Sequence, residues 1–204
     1  MKTIPFSNEN LNAIDKMIIG GIDMWGNMLA TQQLLENKYE KVLGIDMDNM
    51  RDEQLMSLRD EVMEYAKTTK CFKYWSQSPP DHRLIRLEEF SDGVHLYLQQ
   101  FLYFGLTPQE IVNIMEKVDL HVADNRRHIE KNKNMVINTF LSNAMDWLIT
   151  PDPVNNKYDE KMFFIKSFGC FMTAGRADGF TDEDIEKGYY LKNRINQERL
   201  KSGY

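Results

Sequence analysis

Apolar residues recur at three- and four-residue intervals over most of the chain, and alternating Val/Ile/Thr-rich runs are nearly absent, so the pattern predicts helices and almost no strand. Over 11–39, Ile14, Met17, Ile18, Met24, Met28, Leu29 and Leu34 mark a first helical block, with a bend expected at Gly20 and Gly21. Leu55, Leu58, Val62, Met63 and Ala66 give a second helix over about 53–70. Pro79 and Pro80 end that stretch, because proline donates no backbone hydrogen bond and restricts the residue before it. A third helix starts near Asp81 and runs through Leu84, Leu87, Val94, Leu98 and Leu102 to a C-terminal cap at Gly105.

Thr107, Pro108 and Glu110 read as an N-cap, a proline in the first turn and a capping-box acid, which begins a fourth helix extending to about Asn132. Its polar end, Asp124 to Lys133, is either a solvated face or one turned to phosphate. A fifth helix covers about 135–149 and stops at Thr150-Pro151-Asp152-Pro153, the clearest linker in the sequence. A sixth spans 161–177, and Gly179-Phe180-Thr181 supply a turn and cap for a seventh through Arg199. The expected fold is an all-α helical bundle, one domain over 1–204 with a possible linker near 150–156.

Composition narrows the function. Charged residues are 27%, hydrophobic residues 42%, and the net charge is −6, with the acids spread along the chain. Such a surface disfavours a nucleic acid polymer as partner. No signal peptide or apolar run of membrane-spanning length is seen, so a cytoplasmic protein with no membrane partner is expected. Cys71 and Cys170 stand far apart and outside any Cys/His cluster, which signals buried thiols, not a disulfide framework or a zinc site.

The chemistry-bearing residues are acids. Glu61 and Glu64 lie on the second helix, Glu89 and Asp92 on the third, each pair three positions apart and therefore on one helical face. Counting from Pro79, Glu64 is about fifteen residues back and Asp92 about thirteen forward, so an antiparallel hairpin brings both pairs to similar heights. Four carboxylates side by side repel one another, and a hard divalent cation removes that cost; magnesium suits an all-oxygen cluster better than zinc. The competing reading is a pair of solvated acidic faces, against which stand the apolar neighbours Val62, Met63, Phe90, Val94 and Leu98.

With these motifs the chain resembles the all-α nucleotide pyrophosphohydrolases, relatives of the MazG type, in which an ExxE on one helix is followed by an ExxD on the next. Within that group it is most similar to the dimeric dUTPases. Cys71-Phe72-Lys73-Tyr74-Trp75 follow the first acids and Gly93-Val94-His95-Leu96 follow the second. The closing stretch from Tyr190 to Arg199, then Ser202-Gly203-Tyr204, looks like that family's KNxxNxxRxxxGY ending. Thr31 to Asn37 is similar to a family segment whose glutamine and asparagine help recognise the base, although glutamate stands at 36, where the pattern has asparagine.

The resemblance implies hydrolysis of dUTP to dUMP and pyrophosphate by a homodimer, with two or more Mg²⁺ ions held by Glu61, Glu64, Glu89 and Asp92. Glu64 would orient or deprotonate the attacking water, with Glu61 beside it as a second catalytic acid. Lys192, Asn196 and Arg199 fall at i, i+4 and i+7 on one helical stripe and could face a triphosphate together. Gln33, Lys73, Trp75, His95 and Tyr204 complete the expected substrate-binding set, with His95 read as a packed or supporting side chain and Trp75 as either a base-pocket wall or a core aromatic. Three rivals remain open. One is a related enzyme acting on dCTP or another nucleotide, one a di-iron carboxylate bundle, and one a metal-stabilised binding module without catalysis.

Overall fold

The computed structural model of the chain describes residues 5–14, 21–149 and 157–203. The described residues form α1 (Asn8–Asn12), α2 (Gly21–Leu43), α3 (Arg51–Thr69), α4 (Arg83–Phe104), α5 (Pro108–Asp124), α6 (Arg126–Ile149), α7 (Lys157–Asp178) and α8 (Asp182–Lys201). A 3-10 turn over Met47–Asn49 leads into α3, and no strand occurs among the described residues. The all-α expectation holds. Gly21 is the first helical residue of α2, whereas Gly20, Met17 and Ile18 lie outside the described residues, as do the expected linker at 150–153 and Tyr204.

The caps fall where side-chain chemistry puts them. Thr107 Oγ1 accepts from the Glu110 amide while the Glu110 carboxylate takes the Thr107 N–H, a reciprocal capping box behind Pro108. Thr181 and Asp184 repeat the device at the start of α8. Gly105, at φ 63, closes α4 in a left-handed conformation that a Cβ would strain.

The largest departure from the sequence expectation is at the end of the fourth helix. The fourth helix stops at Asp124 instead of continuing to Asn132, and α6 begins two residues later. Asparagine is the cause at both irregular points. Asn125 returns its side-chain amide to the His121 carbonyl, and Asn132, at φ −130 and ψ 33 inside α6, does the same to His128. Of the polar stretch between them, Arg126, Arg127, His128 and Glu130 are exposed, with Arg126 paired to Glu130.

Helix α4 is the centre of the bundle. It packs against α2, α3, α7 and α8 and buries residues on most of its circumference, from Leu87 and Phe90 through Val94, Tyr97 and Leu98 to Phe101. Phe90 stacks on Phe171 with centroids 4.6 Å apart, and Tyr65 meets both rings edge-on. Small residues allow the close approach. A Cβ on Gly93 would come within 2.5 Å of the Phe171 ring, and one on Gly188 would strike Ser91 Oγ. Those contacts set how near α7 and α8 come to α4, and therefore where α8 delivers its polar stripe.

Candidate active site

Helices α3 and α4 form the expected antiparallel hairpin through residues 70–82, and their facing surfaces bring acids together. One carboxylate oxygen each of Glu61, Glu89 and Asp92 lies within 4.8 Å of the others. The cluster is half-buried and unevenly satisfied. Glu61 Oε2 is buried with no hydrogen-bond partner, while Asp92 Oδ2 takes an ion pair from Lys192 Nζ at 2.8 Å.

Glu64, expected as the fourth member, stands apart. Its carboxylate is half-exposed and lies 3.5 Å from Lys67 Nζ one turn along α3. Its charge still reaches the cluster, since it helps raise the pKa of both Glu61 and Glu89. Burial is the main cause for each, followed by Asp92, and it lifts Glu61 to about 8 and Glu89 to about 7. Burial also raises the Asp92 carboxyl, with Lys192 acting against the rise. Three carboxyls that resist ionising together are what a cation site looks like before the cation is counted. The unpartnered Glu61 oxygen and the all-oxygen donor set fit a hard divalent ion.

The polar stripe of α8 faces this cluster. Lys192 is 3% exposed and bridges Asp92 and Glu88, the latter at 3.0 Å, so its ammonium is engaged by carboxylates instead of being presented to a phosphate. Burial opposes its charge, but Asp92 and Glu88 outweigh that and raise its pKa. Arg199 acts on Asp92 electrostatically, lowering its pKa. Asn196 lines a cavity of about 320 Å³ alongside Gln32, Tyr39, Ser57, His95 and Gln99. Ser57 is one helical turn before Glu61 and His95 one turn after Asp92, so the cavity adjoins the acids.

His95 is buried and stacked on Tyr189, with ring centroids 4.2 Å apart. Its Nδ1 lies 2.8 Å from Gln32 Oε1 and its Nε2 3.0 Å from the Tyr189 carbonyl, two acceptors for the one N–H that a neutral ring carries. Burial holds its pKa down to about 3, and the ring is neutral. It sits as a packed side chain that also borders the cavity.

Other expected residues fall elsewhere. Gln33 is exposed and hydrogen-bonds Asn37 at 3.0 Å; its neighbour Gln32 turns inward. Gln33 instead borders a second, more polar cavity of about 330 Å³ that shares Glu36, Gln54 and Gln99 with the first. Trp75 is 65% exposed and clusters with Tyr74 and Phe72 in the α3–α4 loop, so it is not a core aromatic. It does not line either cavity, which lie toward the other end of the hairpin, and Lys73 sits in the same loop over the Phe72 ring.

Glu88, Gln32, Tyr39 and Gln99 join the site without having been singled out from the sequence, and Glu36, noted there only as a departure from the family pattern, lines both cavities. Gln99 left a legible trace: it falls seven residues after Asp92, hence on the same face of a helix otherwise rich in core residues.

No curated protein matches this chain. A family model described as dUTPase matches residues 24–204. That span includes both acid pairs, the α8 stripe and the cavity between them. The chain therefore belongs to the all-α dUTPase family, and its reaction is the hydrolysis of dUTP to dUMP and pyrophosphate.

Proposed function

We propose that Glu61, Glu89 and Asp92, joined by Glu64 when it leaves Lys67, hold two or more Mg²⁺ ions, and that the adjoining cavity seats the deoxyuridine. The observation that carries this reading is Glu61 Oε2, a buried carboxylate oxygen with no donor, beside two further carboxylates. A buried acid left in that state is costly, and a divalent ion removes the cost for all three at once. When bound, the ions shield the charge of the polyphosphate and acidify an attacking water.

The protein's own groups do the rest. Glu64, half-exposed at the edge of the cluster, orients the water and receives its proton on a carboxylate oxygen. Lys192 fixes Asp92 from behind and keeps the local charge balanced, while Arg199 and Asn196 on the same stripe address the phosphates and the sugar. Aliphatic and aromatic side chains of the cavity, Leu35, Tyr39, Ile45 and Leu96, exclude bulk water from the nucleoside. The active form is proposed to be a cytoplasmic homodimer, with exposed Leu34 and Met56 among the apolar side chains available for pairing. No helix among the described residues is long and apolar enough to cross a membrane.

The deciding experiment supplies each deoxynucleoside triphosphate with Mg²⁺ and identifies the products. Release of dUMP and pyrophosphate, dependent on Mg²⁺ and lost in Glu61→Gln, is expected. Full turnover in Glu61→Gln, or in the presence of a strong chelator, would overturn the metal assignment. Light scattering reads the oligomeric state.

A further inference from the structure

The cavity beside the acids is walled by several carboxamides, and their hydrogen bonds can be counted. Gln32 is spent at both ends. Its Nε2 donates to Glu36 Oε1 at 3.2 Å, and its Oε1 stands 2.8 Å from His95 Nδ1 and 3.3 Å from the Tyr189 hydroxyl. Gln54 is spent likewise, donating to the Met47 carbonyl at 2.7 Å and accepting from Gln100 at 3.3 Å. Gln33 points outward to Asn37.

Gln99 is different. The residue is 7% exposed, it lines both cavities, and its Oε1 is buried without any hydrogen-bond donor. Buried carbonyl oxygens are almost always satisfied, so an orphan on a cavity wall marks the place where a ligand donor belongs. Its position supplies the scale. Gln99 lies seven residues beyond Asp92, two turns and about 10 Å along the same face of α4. That is the order of separation between a nucleotide's first phosphate and the far edge of a pyrimidine, with deoxyribose between them.

We propose that Gln99 Oε1 accepts a hydrogen bond from the N3–H of the pyrimidine, making Gln99 a specificity-determining residue of the dUTPase reaction. This rests on the nucleoside occupying the cavity, as in the preceding reading. A base with N3 blocked cannot make the bond, and the pocket then holds an unsatisfied carbonyl against a methyl group. Sites built to hydrogen-bond a substrate N–H discriminate strongly against analogues lacking it.

The test compares kcat/KM for dUTP and for 3-methyl-dUTP in the wild-type protein and in Gln99→Leu. The wild type is expected to prefer dUTP by about tenfold or more, and Gln99→Leu to bring the ratio close to one. The ratio is internal to one preparation and so does not depend on the folded fraction. Gln99→Asn, which withdraws the amide by one methylene, serves if the leucine variant fails to fold and is expected to lose the preference as well. A preference retained in these variants, or absent from the wild type, overturns the assignment. Glu61→Gln separates the two levels. If it is inactive while Gln99→Leu keeps its preference, Gln99 alone is misassigned; if it turns over dUTP normally, the metal site beneath the proposal is wrong.

Discussion

Lys192 Nζ stands 2.8 Å from Asp92 Oδ2, with the lysine side chain 4% and the aspartate side chain 18% exposed. This pair joins the last helix to the one that carries two of the three clustered acids. Removing one member of a buried pair strands the other's charge, so Lys192→Met is expected to destabilise the metal-free protein by about 3 kcal/mol. Urea denaturation in a chelator measures it. A loss below about 1 kcal/mol would place the pair effectively in solvent.

Glu61 invites a substitution whose effects on function and stability have opposite signs. Its carboxyl is buried, has an unpartnered oxygen and is raised to about 8, so Glu61→Gln relieves an unfavourable charge in the metal-free protein. The variant is expected to melt higher than the wild type in chelator near pH 8, while dUTP turnover falls on the order of 100-fold or more. A lower melting temperature together with lost activity would mean that Glu61 is held by bonds this structure does not contain.

The acid cluster also sets a pH dependence. Glu61 at about 8 and Glu89 at about 7 lie above the ordinary 4.5, so the folded protein retains protons that the unfolded chain has released. Metal-free stability from these groups is greatest below about pH 4.5 and declines as pH rises to about 8. A cation competes with those protons, so the gap between melting temperatures in Mg²⁺ and in chelator should widen across that interval. A gap that narrows with rising pH would contradict the assignment.

Gly188 lies one turn before Lys192, and a Cβ there would strike Ser91 Oγ on α4 and approach Leu87 Cδ1 to 3.5 Å. Gly188→Ala is expected to push α8 away from α4, at a cost of about 1–3 kcal/mol and with loss of the Lys192–Asp92 register. Thermal melts and dUTP kinetics should decline together. Unchanged kinetics in a destabilised variant would show that the α4–α8 spacing does not govern the site.

Much of this molecule was written in local patterns. Helix propensity, the Thr107 and Thr181 caps and the Gly105 terminus depend on residues a few positions apart, and each appears where its chemistry places it. The pairing of Glu61 with Glu89 and Asp92 was legible for the same reason. Glu61 lies eight residues before the end of α3 and Asp92 nine after the start of α4, so the two helices of the hairpin bring them to similar heights. The early end at Asp124 was missed because a polar helical pattern does not reveal that Asn125 will spend its amide on its own backbone.

By itself, the sequence determined the helical class, the two acidic faces and the α8 stripe, since periodicity alone brings i, i+3, i+4 and i+7 side chains onto one side of a helix. Only the tertiary structure decided how those groups divide their partners. Lys192 is committed to Glu88 and Asp92, Glu64 turns to Lys67, Gln32 is consumed by Glu36 and His95, and Gln99 is left with an open acceptor. Those outcomes depend on which side chain of another helix arrives first and on how much water remains between them. Close packing at Gly93 and Gly188 settles both, across separations that no local pattern encodes.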